Sequence, residues 1–313
     1  MLVAALRLTG FAVAVALLTS RLGLLVHEVV GHGGVAWLGG ARVDELALFW
    51  FAGGYIHYQV GQDDVALALA IQLAGIGVEA VVAGLVVASV RGRVGALATA
   101  ARVAGWACLV HASFYLAAGT WHGFGDGVGL FRQLGRGRVL VVAPAALLML
   151  GAVAAGVRAL APLADVVPGP RPARRWLVLA AALLVAGATH GALTAGELTV
   201  RADRRYAEVM RREPARIVDR ELAAWLAAER ARGAVDAAAV ARRRHELARQ
   251  QAVFPLAPVL VVLAALVALG TAWSSSRRAN AGAAPTLGRR ELAWLALAAT
   301  GAVAAVVVVA QLA

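Results

Sequence analysis

The feature that most constrains this chain is a series of long apolar stretches separated by short polar segments. A helix needs about 20 largely apolar residues to cross a bilayer, where only helices and closed barrels satisfy all their backbone hydrogen bonds. The apolar stretches lie at 3–38, 65–90, 97–118, 138–162, 175–196, 253–273 and 291–312. The first is too long for one straight crossing and contains Arg21. It therefore predicts either a tilted helix or a helix whose end folds back into the membrane together with residues 46–56.

Composition points to the same class of fold. Hydrophobic residues make up 61% of the chain, charged residues only 15%, and the mean hydropathy is +0.75. A soluble domain would have about a quarter of its residues charged. We therefore expect an all-α polytopic membrane protein with six to seven transmembrane helices and a short membrane-face β element. The single cysteine, Cys108, excludes an internal disulfide.

The net charge of +12 is carried on the basic side by arginine alone. Loops 91–102, 163–175 and 274–290 hold more arginine than 39–64 or 119–137, which predicts that the first three face the cytoplasm. Basic loops between apolar spans indicate contact with anionic lipid and not with nucleic acid. The arginine-rich composition without lysine is typical of a GC-rich bacterial genome, so we expect an integral protein of the bacterial inner (cytoplasmic) membrane. The oligomeric state is left open.

Two segments lie between the apolar spans. Gly39-Gly40 and Gly53-Gly54 bound a stretch whose middle, 46–51, is rich in strand formers. It predicts a short hairpin or re-entrant strand beside a wet cavity, because irregular backbone at membrane depth must be buried in protein or line such a cavity. The hydrophilic segment 198–252 predicts a helical hairpin, with Pro214 at the start of its first helix and Asp236 capping its second.

The motif HEVVGH places His27, Glu28 and His32 inside the first apolar span. Ionisable groups at membrane depth are costly and mark functional sites. On a straight helix, side chains five residues apart point about 140° apart, so two such histidines cannot bind one ion. A one-residue π-bulge, favoured by the glycines at 31, 33 and 34, would bring both imidazoles to one face. Alternatively, Glu28 and His32, which are four apart, face the site together and His27 is displaced.

Two families share this pattern of residues. HEVVGH matches the HExxGH motif of the dipeptidyl peptidase III family, in which the stretched spacing still binds zinc. More broadly, residues 20–135 resemble the site-2 protease family of intramembrane zinc metalloproteases (family M50). In that family a His-Glu motif precedes a glycine-flanked strand-like segment and a later Asp-Gly, an order repeated here at 27–32, 39–55 and Gly125-Asp126-Gly127. The Asn-Pro that usually precedes the family's Asp-Gly is absent.

The M50 resemblance implies a zinc site with three protein ligands. His27, His32 and Asp126 would bind Zn²⁺, and Glu28 would be the general base in hydrolysis of a peptide bond of a membrane-embedded protein substrate. The residue types suit this chemistry, because two imidazoles and a carboxylate leave a zinc position open for water and a nearby glutamate can take the water's proton. Asp126, flanked by glycines, fits a turn equally well.

Other polar residues in the spans are candidates for supporting roles. His122 lies four residues before Asp126 and on a helix would share its face, either as an additional ligand or as a hydrogen-bond partner of one. His57 either reaches the cavity or lies at the membrane interface. Glu79 is expected on a face of the second span turned towards the site, and His111 is expected to form a hydrogen bond between helices.

These features predict four segments of the chain. They are an M50-like catalytic membrane core at 1–135, additional transmembrane helices at 136–197, the extramembrane helical hairpin at 198–252 and C-terminal transmembrane helices at 253–313. Three alternatives to the protease stay open. One is a membrane zinc hydrolase acting on a lipid amide, and another is a catalytically inactive M50-like scaffold or binding protein. The third, a transporter, has the least support because the chain lacks an internal repeat.

Overall fold

A computed structural model gives the fold of the chain as a helical bundle with one small sheet. It describes residues 1–61, 63–169, 171–233, 236–277 and 287–313. The helices are α1 (Leu2–Leu24), α2 (Gly34–Leu38), α3 (Val65–Ser89), α4 (Ala96–His122), α5 (Val128–Leu134), α6 (Val139–Ala164), α7 (Pro172–Arg201), α8 (Arg204–Val209), α9 (Glu213–Arg232), α10 (Ala237–Gln250), α11 (Leu256–Ser276) and α12 (Arg289–Leu312). The strands are β1 (Arg42–Leu48) and β2 (Gly54–Gln59).

Among the described residues, seven helical segments are long and apolar enough to cross a membrane. Many of their large apolar side chains point outwards, and Leu140, Leu147 and Leu184 are each more than 70% exposed. Such surfaces suit a hydrocarbon solvent. The predicted mainly helical fold is confirmed, with seven long apolar helical segments in the described residues where six to seven were expected. The arginine-rich loop 274–290 lies largely outside the described residues.

The first segment is one continuous helical rod from Leu2 to Leu38 and does not fold back. Its middle, Leu25–Gly33, is a π-helix joining α1 to α2. The rod packs against α12 and α7 along α1, and against α3 along the π-helix. The π-bulge predicted from the spacing of HEVVGH is therefore confirmed.

Close packing of small residues brings α3 against the π-helix. A Cβ atom added at Gly31 would lie 2.6 Å from Cα of Gly75, so the two backbones touch at this crossing. Glycine pairs allow such an approach between apolar helices. The contact places the part of α3 from Ile71 to Glu79 beside the two motif histidines.

The glycine-bounded segment forms an antiparallel hairpin, as predicted. Strand β1 pairs with β2 from Arg42 opposite Gln59 to Leu48 opposite Gly54, with an irregularity between Val43 and Glu45. In the connecting residues 49–53, Phe49 and Ala52 are buried, whereas Trp50 is exposed. The hairpin thus brings part of an irregular connection into the interior of the bundle.

The hydrophilic segment is the predicted helical hairpin. Pro214 lies in the first turn of α9, and the side chain of Asp236 accepts hydrogen bonds from the N–H groups of Ala238 and Ala239 at the start of α10. Leu222 and Leu247 are buried between the two helices. The hairpin therefore has a small core of its own.

Candidate metal centre

The two histidines of the motif face the same point in the interior. On the π-helix, Nε2 of His27 lies 2.9 Å and Nε2 of His32 lies 3.3 Å from Oδ2 of Asp126. One ligand atom from each of these three residues lies within 4.8 Å of the others. The alternative in which His27 is displaced and Glu28 pairs with His32 is wrong, because the wider π-turn rotates His27 back onto the face of His32.

Asp126 reaches the histidines through a sharp reversal of the chain. Helix α4 ends at Gly123, which has a left-handed backbone (φ 68°), and a short 3₁₀ turn, Gly125–Gly127, follows. Gly127 lies directly against the backbone of Gly119 and Thr120, where a side chain would not fit. The aspartate is therefore in a glycine-flanked turn and also at the site, so the two interpretations of this residue are compatible.

The outer nitrogen of each imidazole has a fixed partner. Nδ1 of His27 lies 3.1 Å from Oε2 of Glu79, and Nδ1 of His32 lies 2.6 Å from the carbonyl oxygen of Ile71. Both acceptors belong to α3. They hold Nδ1 as the protonated nitrogen, which leaves the Nε2 lone pairs of both rings free to bind a cation.

The carboxylate of Asp126 has an atom that fits a metal ligand. Its Oδ2 atom is buried and has no aligned hydrogen-bond partner, although both Nε2 atoms are close. Tetrahedral zinc with bonds of about 2.0–2.1 Å separates neighbouring ligand atoms by roughly 3.3 Å, which is close to the two observed distances. Two imidazoles and one carboxylate are also a ligand set of catalytic zinc sites. The residues present therefore fit zinc.

Glu28 lies beside the three grouped residues and is not one of them. It is 6% exposed and lies under the start of β2, where a Cβ atom added at Gly54 would be 3.1 Å from its Cγ. It also lines a cavity of about 630 Å³, together with His27. This position, next to a ligand but open to a cavity, is the one a general base requires.

His122 and His57 are not brought to the group. His122 is buried at the end of α4, where its Nε2 accepts a hydrogen bond from the N–H group of Ala257 at 3.3 Å. It does not share a face with Asp126, because the helix ends at Gly123 between them. His57 is mostly exposed on β2 and pairs with Asp44 at 3.2 Å.

Glu79 faces the site and His111 forms a hydrogen bond between helices, as predicted, but the sequence did not reveal that Glu79 is the partner of both His111 and His27. Glu79 contacts Nδ1 of His111 at 3.0 Å as well as His27, and it is only 4% exposed. Its position as a lone acidic residue in the second span was a usable signal. Its partners depend on how α3, α4 and the π-helix cross, which the sequence does not display.

Arg21 stabilises the connection between β1 and β2, a role that the sequence did not reveal. Arg21 is 3% exposed, and its guanidinium donates hydrogen bonds to the carbonyl oxygens of Phe49, Trp50, Phe51 and Ala52 at 2.9–3.0 Å. One buried cation thus satisfies four successive carbonyl groups. This explains why a basic residue interrupts the first apolar span.

Glu197 of α7 binds the N–H groups of the same connection. Its carboxylate accepts hydrogen bonds from the N–H groups of Trp50, Phe51 and Ala52 at 2.6, 2.6 and 3.0 Å. With its backbone polar groups satisfied in this way, the connection can lie in an apolar interior. Arg21 and Glu197 thereby fix the start of β2 next to Glu28.

The helical hairpin of α9 and α10 is attached to the turn that carries Asp126. The N–H group of Glu213 donates to the carbonyl oxygen of Gly123 at 2.7 Å, and its carboxylate pairs with Arg132 at 2.8 Å and Arg220 at 3.3 Å. Burial alone would raise the pKa of Glu213. The hydrogen bond from Arg132 and the surrounding positive charges outweigh burial and hold this pKa below its ordinary value.

We expect Glu79→Gln to weaken zinc binding by about 10- to 100-fold, the effect typical of losing a carboxylate behind a histidine ligand. The substitution keeps the shape of the side chain but removes the charge that orients His27. Competition with a chromophoric zinc chelator measures the affinity. Glu246→Gln, at an exposed position in the hairpin, is the matched control, and equal affinities for the two variants would contradict this role of Glu79.

No protein-family model, no curated protein and no solved structure was found to match this chain.

Proposed function

We propose that this protein is a zinc-dependent hydrolase of the bacterial inner membrane that cleaves a peptide bond of a membrane-embedded substrate. The observation that carries the proposal is the convergence of His27, His32 and Asp126, with both Nδ1 atoms already held by acceptors on α3. Glu28 beside this group completes the set of residues that such hydrolysis needs.

In this proposal zinc activates the water molecule and the carbonyl group, and Glu28 transfers the proton. When bound, zinc would lower the pKa of a water molecule in its open position to about 7 and polarise the amide carbonyl. Glu28 takes the proton from the attacking water as its oxygen adds to the carbonyl carbon. Glu28 then returns that proton to the leaving nitrogen as the C–N bond breaks, giving a carboxylic acid and an amine.

The β-hairpin connection positions the substrate in this proposal. Arg21 and Glu197 fix residues 49–52, and the nearby Gly54 lies against Glu28, with its neighbour Gly53 against the ring of Tyr206. A substrate amide can therefore approach Glu28 closely. Burial of Glu28 and the two histidines, which are each less than 10% exposed, strengthens the charge interactions made there.

The test uses purified protein in liposomes with a reporter polypeptide that has one transmembrane segment containing helix-breaking residues. We expect zinc-loaded protein to cleave the reporter within or next to this segment, as shown by mass spectrometry. Chelation should stop the cleavage and added Zn²⁺ should restore it. Absence of cleavage by zinc-loaded protein across reporters of varied sequence, or cleavage that persists after chelation, would contradict the proposal.

A further inference from the structure

The cavity beside Glu28 reaches the short helix α8, which follows α7. Tyr206 of α8 and Met210 after it line the cavity there, together with residues 51–54 at the β-hairpin connection. All of these residues lie outside the seven long apolar segments. We call this part of the cavity the α8 end. It is the part nearest to the polar segments that connect the long helices.

The cavity also has an opening in the middle of α7. Leu183 and Gly187 line the cavity at this point and are both exposed. The side chains of Leu184 and Val185 next to them are 74% and 50% exposed. This opening therefore lies among apolar side chains at the centre of a long apolar helix. In a bilayer, water would have to cross hydrocarbon to use it, which favours the α8 end as the route for water.

Tyr206 attaches α8 to the β-hairpin connection. The centroid of its ring lies 4.9 Å from that of Phe49. Its hydroxyl lies against Gly53, where an added Cβ atom would be 3.0 Å away. Arg205 also forms an ion pair with Glu45 of β1. Helix α8 therefore lies against the connection and forms a wall of the cavity on this side.

The segment that carries α8 is anchored firmly at its ends and weakly between them. At its start, Arg201 donates a hydrogen bond to the carbonyl oxygen of Leu48 at 3.1 Å. At its far end, the N–H group of Glu213 is bound to Gly123, as described above. Five of the six residues of α8 are exposed, and Tyr206 is half-buried. A segment with so few buried contacts opens locally at a low free energy.

The start of this segment has a backbone conformation suited to a hinge. Ala202, between α7 and α8, is left-handed with φ 43°. This region is uncommon for a residue with a Cβ atom, and holding it requires support from the surrounding contacts. Release of Tyr206 from the connection removes such support, so that Ala202 can relax and α8 can swing away.

We propose that α8 is a gate between the cavity and water, and that its opening regulates the site. When the gate is closed, Tyr206 packs on Phe49 and Gly53. When it is open, Tyr206 leaves both and water enters the α8 end. Hydrolysis consumes one water molecule for each peptide bond, so cleavage requires the gate to open. The use of this water in hydrolysis rests on the proposed function, whereas the opening of α8 does not.

The first test measures access to Cys108, the one cysteine of the chain, which lines the same cavity. The probe is an anionic methanethiosulfonate reagent, added to purified protein in bilayer nanodiscs, because its charge keeps it out of hydrocarbon. We expect Tyr206→Ala to raise the rate of labelling by at least about tenfold, since it removes the contacts with Phe49 and Gly53. Arg204→Ala, at an exposed position on the same helix, should leave the rate unchanged.

Equal rates of labelling for the Tyr206→Ala variant and the wild type would overturn the inference. An equal increase in the Arg204→Ala variant would also overturn it, because the effect would then not depend on the contacts of Tyr206. Both variants should keep the helical content of the wild type, which shows that they are folded.

The second test holds the gate closed. In a Cys108→Ser background, Arg205→Cys and Glu45→Cys replace the ion pair between α8 and β1 with two thiols that a short bis-maleimide can join. We expect the cross-linked, zinc-loaded protein to keep its zinc and to cleave the transmembrane reporter at least about tenfold more slowly than before cross-linking. Each single-cysteine variant treated with the same reagent should cleave at its original rate.

The gate and the proposed function can fail separately in these two tests, because labelling of Cys108 needs neither zinc nor a substrate. Faster labelling of the Tyr206→Ala variant in a protein that cleaves no reporter would support the gate and overturn the proposed function. Zinc-dependent cleavage at the same rate before and after cross-linking would overturn the gate alone.

Discussion

Glu28→Gln should reduce amide hydrolysis by about 10²- to 10⁴-fold, the contribution typical of a positioned general base. Glutamine has nearly the same shape as glutamate but cannot accept the proton of the attacking water. Because Glu28 is not one of the three grouped ligands, the variant should retain its zinc. Turnover of the reporter and zinc content are measured on the same preparation.

This pairing of measurements separates a catalytic role from a structural one. A variant that loses both zinc and activity would show that Glu28 supports the metal centre instead of acting as the base. A variant that keeps zinc and full activity would contradict the role of Glu28 directly. Glu246→Gln, in the exposed part of the hairpin, should change neither quantity and controls for the loss of a negative charge.

Gly75→Ala should abolish zinc binding, although it adds only one methyl group to a helix distant in sequence from the motif. A Cβ atom at this position would lie 2.6 Å from Nε2 of His27 and 2.5 Å from Nε2 of His32. Neither ring can easily move away, because Glu79 and the carbonyl group of Ile71 hold their outer nitrogens. Overpacking of this kind typically costs about 1–3 kcal/mol and displaces the groups around it.

Gly77→Ala is the matched control for this experiment. It makes the same change two residues further along α3, where an added Cβ would meet no atom within 4 Å. Alanine favours the helix over glycine, so this variant should be as stable as the wild type or more so. Equal zinc affinities of the Gly75→Ala and Gly77→Ala variants would contradict the observed approach of α3 to the two histidines.

Much of the fold could be predicted because membrane helices have a strong local signal. The apolar runs predicted the long apolar helices to within about five residues, and Pro214 and Asp236 marked helix starts that the structure confirms. The π-helix was predictable for a similar reason. The five-residue spacing of two histidines, next to deformable glycines, leaves few ways to place both rings on one face.

The support around the site could not be predicted in the same way. Arg21 satisfies backbone carbonyl groups about 30 residues away, and backbone groups leave no mark in a sequence. Glu79 meets His27 and His111 only through the crossing of three helices. His122 was misjudged because a single left-handed glycine, Gly123, ends the helix that would have aligned it with Asp126.

The central claim is that His27, His32 and Asp126 together bind one zinc ion, and the most direct test is elemental analysis of purified protein. We expect about one zinc per chain in the wild type and none in His32→Ala, since binding requires the complete ligand set. His57→Ala, which removes an exposed histidine paired with Asp44, should retain the full amount. A wild-type protein that stays free of zinc after reloading, or a His32→Ala variant that retains zinc, would contradict the claim.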